Sequence, residues 1–239
     1  ERATLIELAM VERLLAANHF DIVVTHHGIY VPQGVVAEVV RRAGVRLVTW
    51  NTGYRERCFV FSHGDTYHRT MISEPGAVWR DIELSAERER IVRDYLQSRR
   101  SGRNDWISFN RNPDESFASF AATHGLVPGR PVISALTNVF WDAQLHYPSN
   151  AFPSMREWLV ETVRYFAGRP DLYLLIRAHP AEATGALPAR ETAATILAEA
   201  FDDLPSNVVL IPAQSPLSTY AVIENSRAML TRTLDLLRR

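Results

Sequence analysis

The sequence predicts an α/β protein of two lobes, each built on a mainly parallel sheet. Three observations carry this. Short apolar runs, too brief for helices, alternate with amphipathic stretches of helical period along the chain. The alternation restarts after Pro128-Gly-Arg-Pro131, a turn-forming cluster that divides the chain into lobes 1–127 and 128–239. Leu172 to Ile176 is apolar throughout and bounded by turn signals, the pattern of a strand buried on both faces.

In the first lobe, Leu5, Ile6, Leu8, Leu14 and Leu15 mark one face of a helix over 2–17. The chain starts at Glu1, already inside that helical pattern, and reads as a fragment. A strand is expected over Asp21–Thr25, followed by His26, His27 and Gly28. A helix follows Pro32, with Val35, Val36, Val39 and Val40 as its apolar stripe and Gly44 as its stop. Val45–Trp50 is the next strand, so the three elements form a βαβ unit with parallel strands. Cys58–Ser62 is read as a further strand. Ser85 is expected to cap a helix running to about Ser98. The basic stretch Arg99–Asp105 is either exposed loop charge or a phosphate contact. Asn112-Pro-Asp-Glu115 has the form of a helix start, and Gly125 ends that helix.

The segment His63-Gly-Asp-Thr-Tyr-His68 is the densest polar constellation of the first lobe. Three readings stand side by side. His63, Asp65 and His68 offer metal donors, but without a recognised zinc spacing. Gly64 and Asp65 suit a structural turn. Asp65 or His63 suits a general base in an active-site loop.

In the second lobe, Val132–Leu136 is a strand that ends in Thr137-Asn-Val-Phe-Trp-Asp142. A helix opens at Pro153 with Trp158, Leu159, Thr162, Tyr165 and Phe166 on its core face. The Leu172–Ile176 strand runs into Arg177, Ala178, His179 and Pro180. Proline cannot continue a central strand, so His179 sits where strand becomes loop, the place where ligands meet open α/β sheets. The alternative is that His179 closes a turn and Arg177 pairs with an acid such as Glu182. A helix is expected over 189–201 and a strand over Asn207–Ile211. Ser215, Pro216, Ser218 and Thr219 open a final helix, whose start is an anion site or an ordinary cap.

Composition narrows the function. With 239 residues, 46% hydrophobic and 22% charged, this is an ordinary globular chain. A net charge of −1 gives no general attraction to nucleic acid or anionic membranes. The single cysteine, Cys58, excludes an internal disulfide and fits a reducing compartment. No apolar run approaches the ~20 residues needed to span a bilayer.

Several long motifs resemble bacterial capsule polysaccharide biosynthesis proteins. They are Gly28-Ile-Tyr-Val-Pro-Gln-Gly34, Thr49-Trp-Asn-Thr-Gly-Tyr-Arg55, Phe61-Ser-His-Gly-Asp-Thr-Tyr-His68, Leu136-Thr-Asn-Val-Phe-Trp-Asp-Ala-Gln-Leu-His146 and Arg177-Ala-His-Pro180. The resemblance spans the chain to about Ser226. It implies two Rossmann-like lobes of the GT-B type, with the acceptor held by the first lobe and a nucleotide-sugar by the second. A His-Pro pair after a strand of the second lobe also occurs in bacterial sialyltransferases and Kdo transferases, where it contacts the CMP part of the donor. The resemblance therefore implies donor-nucleotide roles for His179 and Pro180. Family members continue with another strand and a Gly-Thr-Lys-Thr-Gly-x-Glu-like loop. Here Arg227–Arg239 contains no glycine and reads as a helix, so the C-terminal lobe is expected to be incomplete.

The expectation is a cytoplasmic glycosyltransferase, peripheral to the inner membrane, that builds a capsule or other surface polysaccharide or its lipid-linked primer. Asp65 or His63 would take the acceptor proton. Arg177, His179, Pro180, Ser215, Ser218 and Thr219 would hold the donor nucleotide, with Thr137, Asn138 and Trp141 at the neighbouring strand end. No metal or other cofactor is expected, and the nucleotide-sugar, CMP-linked by the resemblance, is a substrate. The expected partners are that donor, a polysaccharide or glycolipid acceptor and the capsule assembly machinery, not nucleic acid. The alternatives are a non-catalytic capsule-binding or assembly protein and a nucleotide-sugar epimerase of the same fold.

Overall fold

The computed structural model describes residues 1–73, 75–102, 104–105, 109, 113–142, 151–184 and 189–231. The chain forms two compact units, Glu1–Val92 with Asn104–Trp106, and Arg93–Arg103 with Ile107–Arg239.

The first unit contains α1 (Arg2–Ala17), β1 (Ile22–His26), α2 (Gln33–Arg42), β2 (Arg46–Thr52), β3 (Phe59–His63), α3 (Tyr67–Ser73) and α4 (Ala77–Arg80). β1 and β2 pair in parallel, with Val24 beside Val48 and His26 beside Trp50. The crossover helix α2 buries Ala37 and Val40, one turn apart, with Leu47 of β2. β3 departs from the expected parallel pattern. It pairs antiparallel to β2, with His63 beside Val48 and Phe61 beside Trp50. The reason is the short 53–58 link, because a parallel partner needs a crossover of a dozen residues or more.

The boundary between units falls within α5 (Ala86–Ser101). The second unit continues with α6 (Phe117–Thr123), β4 (Val132–Leu136), α7 (Met155–Ala167), β5 (Tyr173–Arg177), α8 (Ala181–Thr184), α9 (Ala193–Ala200), β6 (Val208–Ile211), α10 (Thr219–Glu224) and β7 (Ala228–Leu230). Its strands are all parallel, in the order β6-β5-β4-β7. The chain adds β5 and β6 on one side of β4 and then returns to add β7 on the other. That reversal is the mark of a doubly wound sheet, and its switch point lies between β4 and β7.

Every residue of β5 is buried, and alternation sends its side chains into two cores. Leu174 and Ile176 pack with Trp158, Leu159 and Val163 of α7 and with Ile196 and Leu197 of α9. Leu175 packs with Leu217, Ala221 and Val222, joined by Phe117 and Phe120 of α6. Full burial of each such aliphatic side chain contributes about 1.5–3 kcal/mol, which makes β5 the strand on which this unit depends most.

Several element starts differ from expectation for local reasons. The α7 cap is Ser154, whose hydroxyl accepts the Glu157 amide at 3.1 Å. Tyr165 is 59% exposed rather than in the core, since its ring and hydroxyl engage Arg169 on the surface. α9 begins only at Ala193, where Thr192 and Thr195 form a reciprocal capping box. α6 starts at Phe117, because Asp114 is held in an extended bridge with Leu217; Asn112 lies outside the described residues. In the tail, Ala228–Leu230 is a strand paired with β4 and not the start of a helix. Its Ala-Met-Leu run completes the sheet edge, and residues 232–239 lie outside the described residues. No helix among the described residues is long and apolar enough to cross a membrane.

Candidate functional site

The carboxyl edge of the second sheet brings together the ends of β4, β5 and β6. Thr137, just past β4, is 3% exposed, and its hydroxyl accepts the His179 amide at 3.0 Å. Its own amide donates to the Arg177 carbonyl at 3.1 Å. Thr137 thus ties β4 to the His179 turn beside the switch point, and its hydroxyl is already committed. Asn138, the next residue, is exposed.

Arg177 is the least expected member. It shares the alternation of Tyr173 and Leu175 and so points to the α10 side of the sheet. It is 2% exposed and donates from its terminal nitrogens to the carbonyls of Pro212 at 2.6 Å and Ser215 at 3.2 Å. Among the described residues no carboxylate pairs with it, and its buried Nε has no hydrogen-bond partner. Burial holds its pKa below the usual guanidinium range. Arg177 therefore fixes the 212–218 loop to the end of β5 rather than presenting its charge to solvent. Glu182, the acid considered as its partner, instead accepts the Ala193 amide at 3.2 Å and caps α9; burial raises its pKa.

His179 is half-buried, with its ring edge-on to Phe109 at 5.1 Å between centroids. Its Nδ1 accepts the Ala181 amide at 3.1 Å, so the neutral ring carries its proton on Nε2, a donor for an incoming oxygen. Pro180 follows it, and its carbonyl accepts the Ala183 and Thr184 amides of the short α8 turn. Burial pushes the His179 pKa below its usual value; Asp142 raises it, and Arg177 lowers it further. The unfolded chain therefore binds a proton near pH 6.5 that the folded chain takes up only at lower pH. This contribution is complete above about pH 6.5 and is lost as pH falls through the folded value. Urea titrations from pH 7.5 to 5 are expected to show a stability loss that is smaller in His179→Gln; equal losses would exclude the effect.

The start of α10 is arranged differently from expectation. Ser218, not Ser215, is its cap, and accepts the Ala221 amide. The Ser215 hydroxyl accepts the Leu217 amide at 3.3 Å, and the Ser218 amide donates to the Asp114 carbonyl at 2.8 Å. Leu217 lies in an extended bridge with Asp114, which delays the helix to Thr219. Ser215 and Ser218 thus hold the loop together, while Asn138 is exposed and the half-buried His179 ring keeps its donor N–H on Nε2.

In the first unit, His63 is exposed and lies beside Val48, towards the start of β2, because β3 runs antiparallel. Asp65 accepts the Thr66 amide at 2.7 Å through Oδ1, which also faces Arg41 at 3.4 Å; Oδ2 faces Arg69 at 3.5 Å. Asp65 therefore links the β3–α3 turn to α2 and α3. Among the described residues no group of three or more His, Cys, Asp or Glu is placed to hold a metal ion. The carboxyl edge of β1 and β2 instead assembles His26, His27, Trp50 and Asn51. The His26 ring lies 4.2 Å from that of His27 and 4.7 Å from that of Trp50, and its Nε2 is 3.3 Å from Asn51 Oδ1. Sequence reasoning passed over this pair. The available signal was two strand-end polar residues in one βαβ unit.

No family model matches the chain, and no curated protein matches it. Among solved structures the chain is similar to the UDP-GlcNAc 2-epimerase from Neisseria meningitidis, in its crystal structure bound to UDP-GlcNAc. The two share 11% identity at a TM-score of 0.27, over 95% of this chain. The chain spans 58% of the length of that structure. The α/β class with a doubly wound parallel sheet rests on the chain's own strands and helices.

Proposed function

We propose that this chain acts in glycosyl transfer, moving a sugar from a nucleotide-sugar donor to a growing capsule or surface polysaccharide or its lipid-linked primer. In this reading the first unit serves the acceptor and the second unit the donor. The observation that carries it is the His179 turn. It lies beside the switch point of a doubly wound sheet, is tied to the β4 end through Thr137, and holds a half-buried ring whose proton is on Nε2. The His-Pro sequence at this turn and the capsule-family motifs support the same reading. The leaving phosphate would accept from His179 Nε2, with Asn138 beside it and Pro180 shaping the turn. Arg177, Ser215 and Ser218 would hold the surrounding loop, with Thr219 opening the helix behind it.

The test is a thermal-shift screen of CMP, UMP, UDP and GDP. At a hundred times its dissociation constant a nucleotide specific for the folded state stabilises by about 2.7 kcal/mol. For a chain of this size that is a rise of about 5–10 °C. His179→Ala is expected to shrink the shift while lowering ligand-free stability by no more than about 1 kcal/mol. No shift with any nucleotide refutes the reading. Conversion of the donor to its epimer without acceptor would replace transfer by epimerisation.

A further inference from the structure

We propose that His26 is the general base that removes the proton from the acceptor hydroxyl, with Asn51 as its positioning residue; this rests on the transferase reading. The place fits, since both residues lie at the carboxyl edge of the parallel pair β1–β2, where ligands meet such sheets. The orientation is determined by hydrogen bonding. Asn51 Oδ1 accepts the Thr52 backbone amide at 3.0 Å. A backbone amide only donates, so this atom is the oxygen, and the His26 nitrogen 3.3 Å from it must donate as well. The neutral His26 ring then carries its proton on Nε2. Its lone pair lies on Nδ1, which has no hydrogen-bond partner among the described residues.

The rings of Trp50 and His27 hold this imidazole in place, and its half-buried setting leaves it reachable. A base oriented by a third group through its far nitrogen is the arrangement that nucleophile activation requires. The neighbouring His27 does not offer the same lone pair, because its Nδ1 accepts the Ile29 amide at 3.2 Å. The His63–Asp65 turn is less suited, with His63 beside Val48 and both Asp65 oxygens engaged.

In the step, the acceptor O–H proton moves to His26 Nδ1. The imidazolium is held through Nε2–H on Asn51. The acceptor oxygen forms its bond to the anomeric carbon as the bond from that carbon to the nucleotide phosphate oxygen breaks. The phosphate leaves with the electron pair, and His26 returns its proton to solvent.

His26→Gln is expected to lower turnover about a hundred- to ten-thousand-fold while leaving the nucleotide thermal shift unchanged. Turnover within about threefold of wild type, with the shift intact, overturns the inference and leaves the transferase reading standing. Absence of the shift in the wild-type protein removes that reading and the inference with it. Nitrogen-15 NMR supplies a readout independent of activity. The neutral wild-type His26 ring should carry its proton on Nε2, Asn51→Ala should mix the tautomers and lower turnover, and Asn51→Asp, which keeps an acceptor oxygen, should restore both. A wild-type ring with its proton on Nδ1 overturns the inference whatever the turnover.

Discussion

Leu175→Ala is expected to lower the unfolding free energy by about 3–4 kcal/mol, in the upper part of the range for buried leucines. Leu175 is fully buried at the centre of β5, and its side chain is shared by Ile211, Leu217, Ala221 and Val222. Ile211 belongs to β6 and Ala221 and Val222 to α10, on either side of the 212–218 loop in which Leu217 is itself buried, so they cannot collapse into the space that the deleted methyls leave. The loss should appear as a lower urea midpoint with an unchanged slope. The proposed donor site should follow, because the same cluster seats the loop that Arg177 holds to the end of β5. The nucleotide-induced thermal shift is therefore expected to shrink. A loss below about 1 kcal/mol would mean that β5 and α10 do not share a packed core.

The same strand shows how far the sequence could be read. Leu172–Ile176 announces a strand buried on both faces because a continuous apolar run has no other use at that length. The placement of His179 at its end follows from Pro180. The direction of Arg177 was also legible, since it lies two residues beyond Leu175 and must share its side of the sheet. What could not be read is that this side holds two backbone carbonyls 35 and 38 residues further along the chain. Buried arginines suggest anions by habit, yet here the guanidinium serves as a loop fastener.

The start of α10 was misplaced for a similar reason. Ser215-Pro216 has the local form of a cap and first turn, but the bridge between Asp114 and Leu217 extends the backbone and passes the cap to Ser218. Local propensity yields to a pairing that spans about a hundred residues. The direction of β3, in contrast, was available from the short 53–58 link. It matters for the proposed base, because it takes His63 away from the edge where His26 and Asn51 meet. That meeting depends on the β1–β2 register and on a side-chain hydrogen bond across 25 positions, neither of which a motif encodes.

Gly28→Val is expected to cost about 2–5 kcal/mol, and two separate effects make up the sum. Gly28 adopts φ +70°, a left-handed conformation that costs any residue with a Cβ about 1–2 kcal/mol. A Cβ at this position would lie 3.0 Å from Thr49 Cγ2, 3.2 Å from Ala37 Cβ and 3.6 Å from Thr66 Cγ2. All three neighbours are 1% exposed and belong to β2, α2 and the β3–α3 turn, so none gives way freely. Forcing methyl groups into such a packed space costs about a further 1–3 kcal/mol. The two contributions can be separated. Gly28→Ala brings the strain and the closest contact, while Thr49→Ser removes Cγ2 and keeps the hydroxyl that donates to the Asp65 carbonyl at 2.9 Å. The double variant should therefore be more stable than the sum of the single losses predicts, by about 1 kcal/mol in urea denaturation. Strict additivity would show that crowding against Thr49 contributes nothing, leaving the backbone conformation and the Ala37 and Thr66 contacts to demand glycine here.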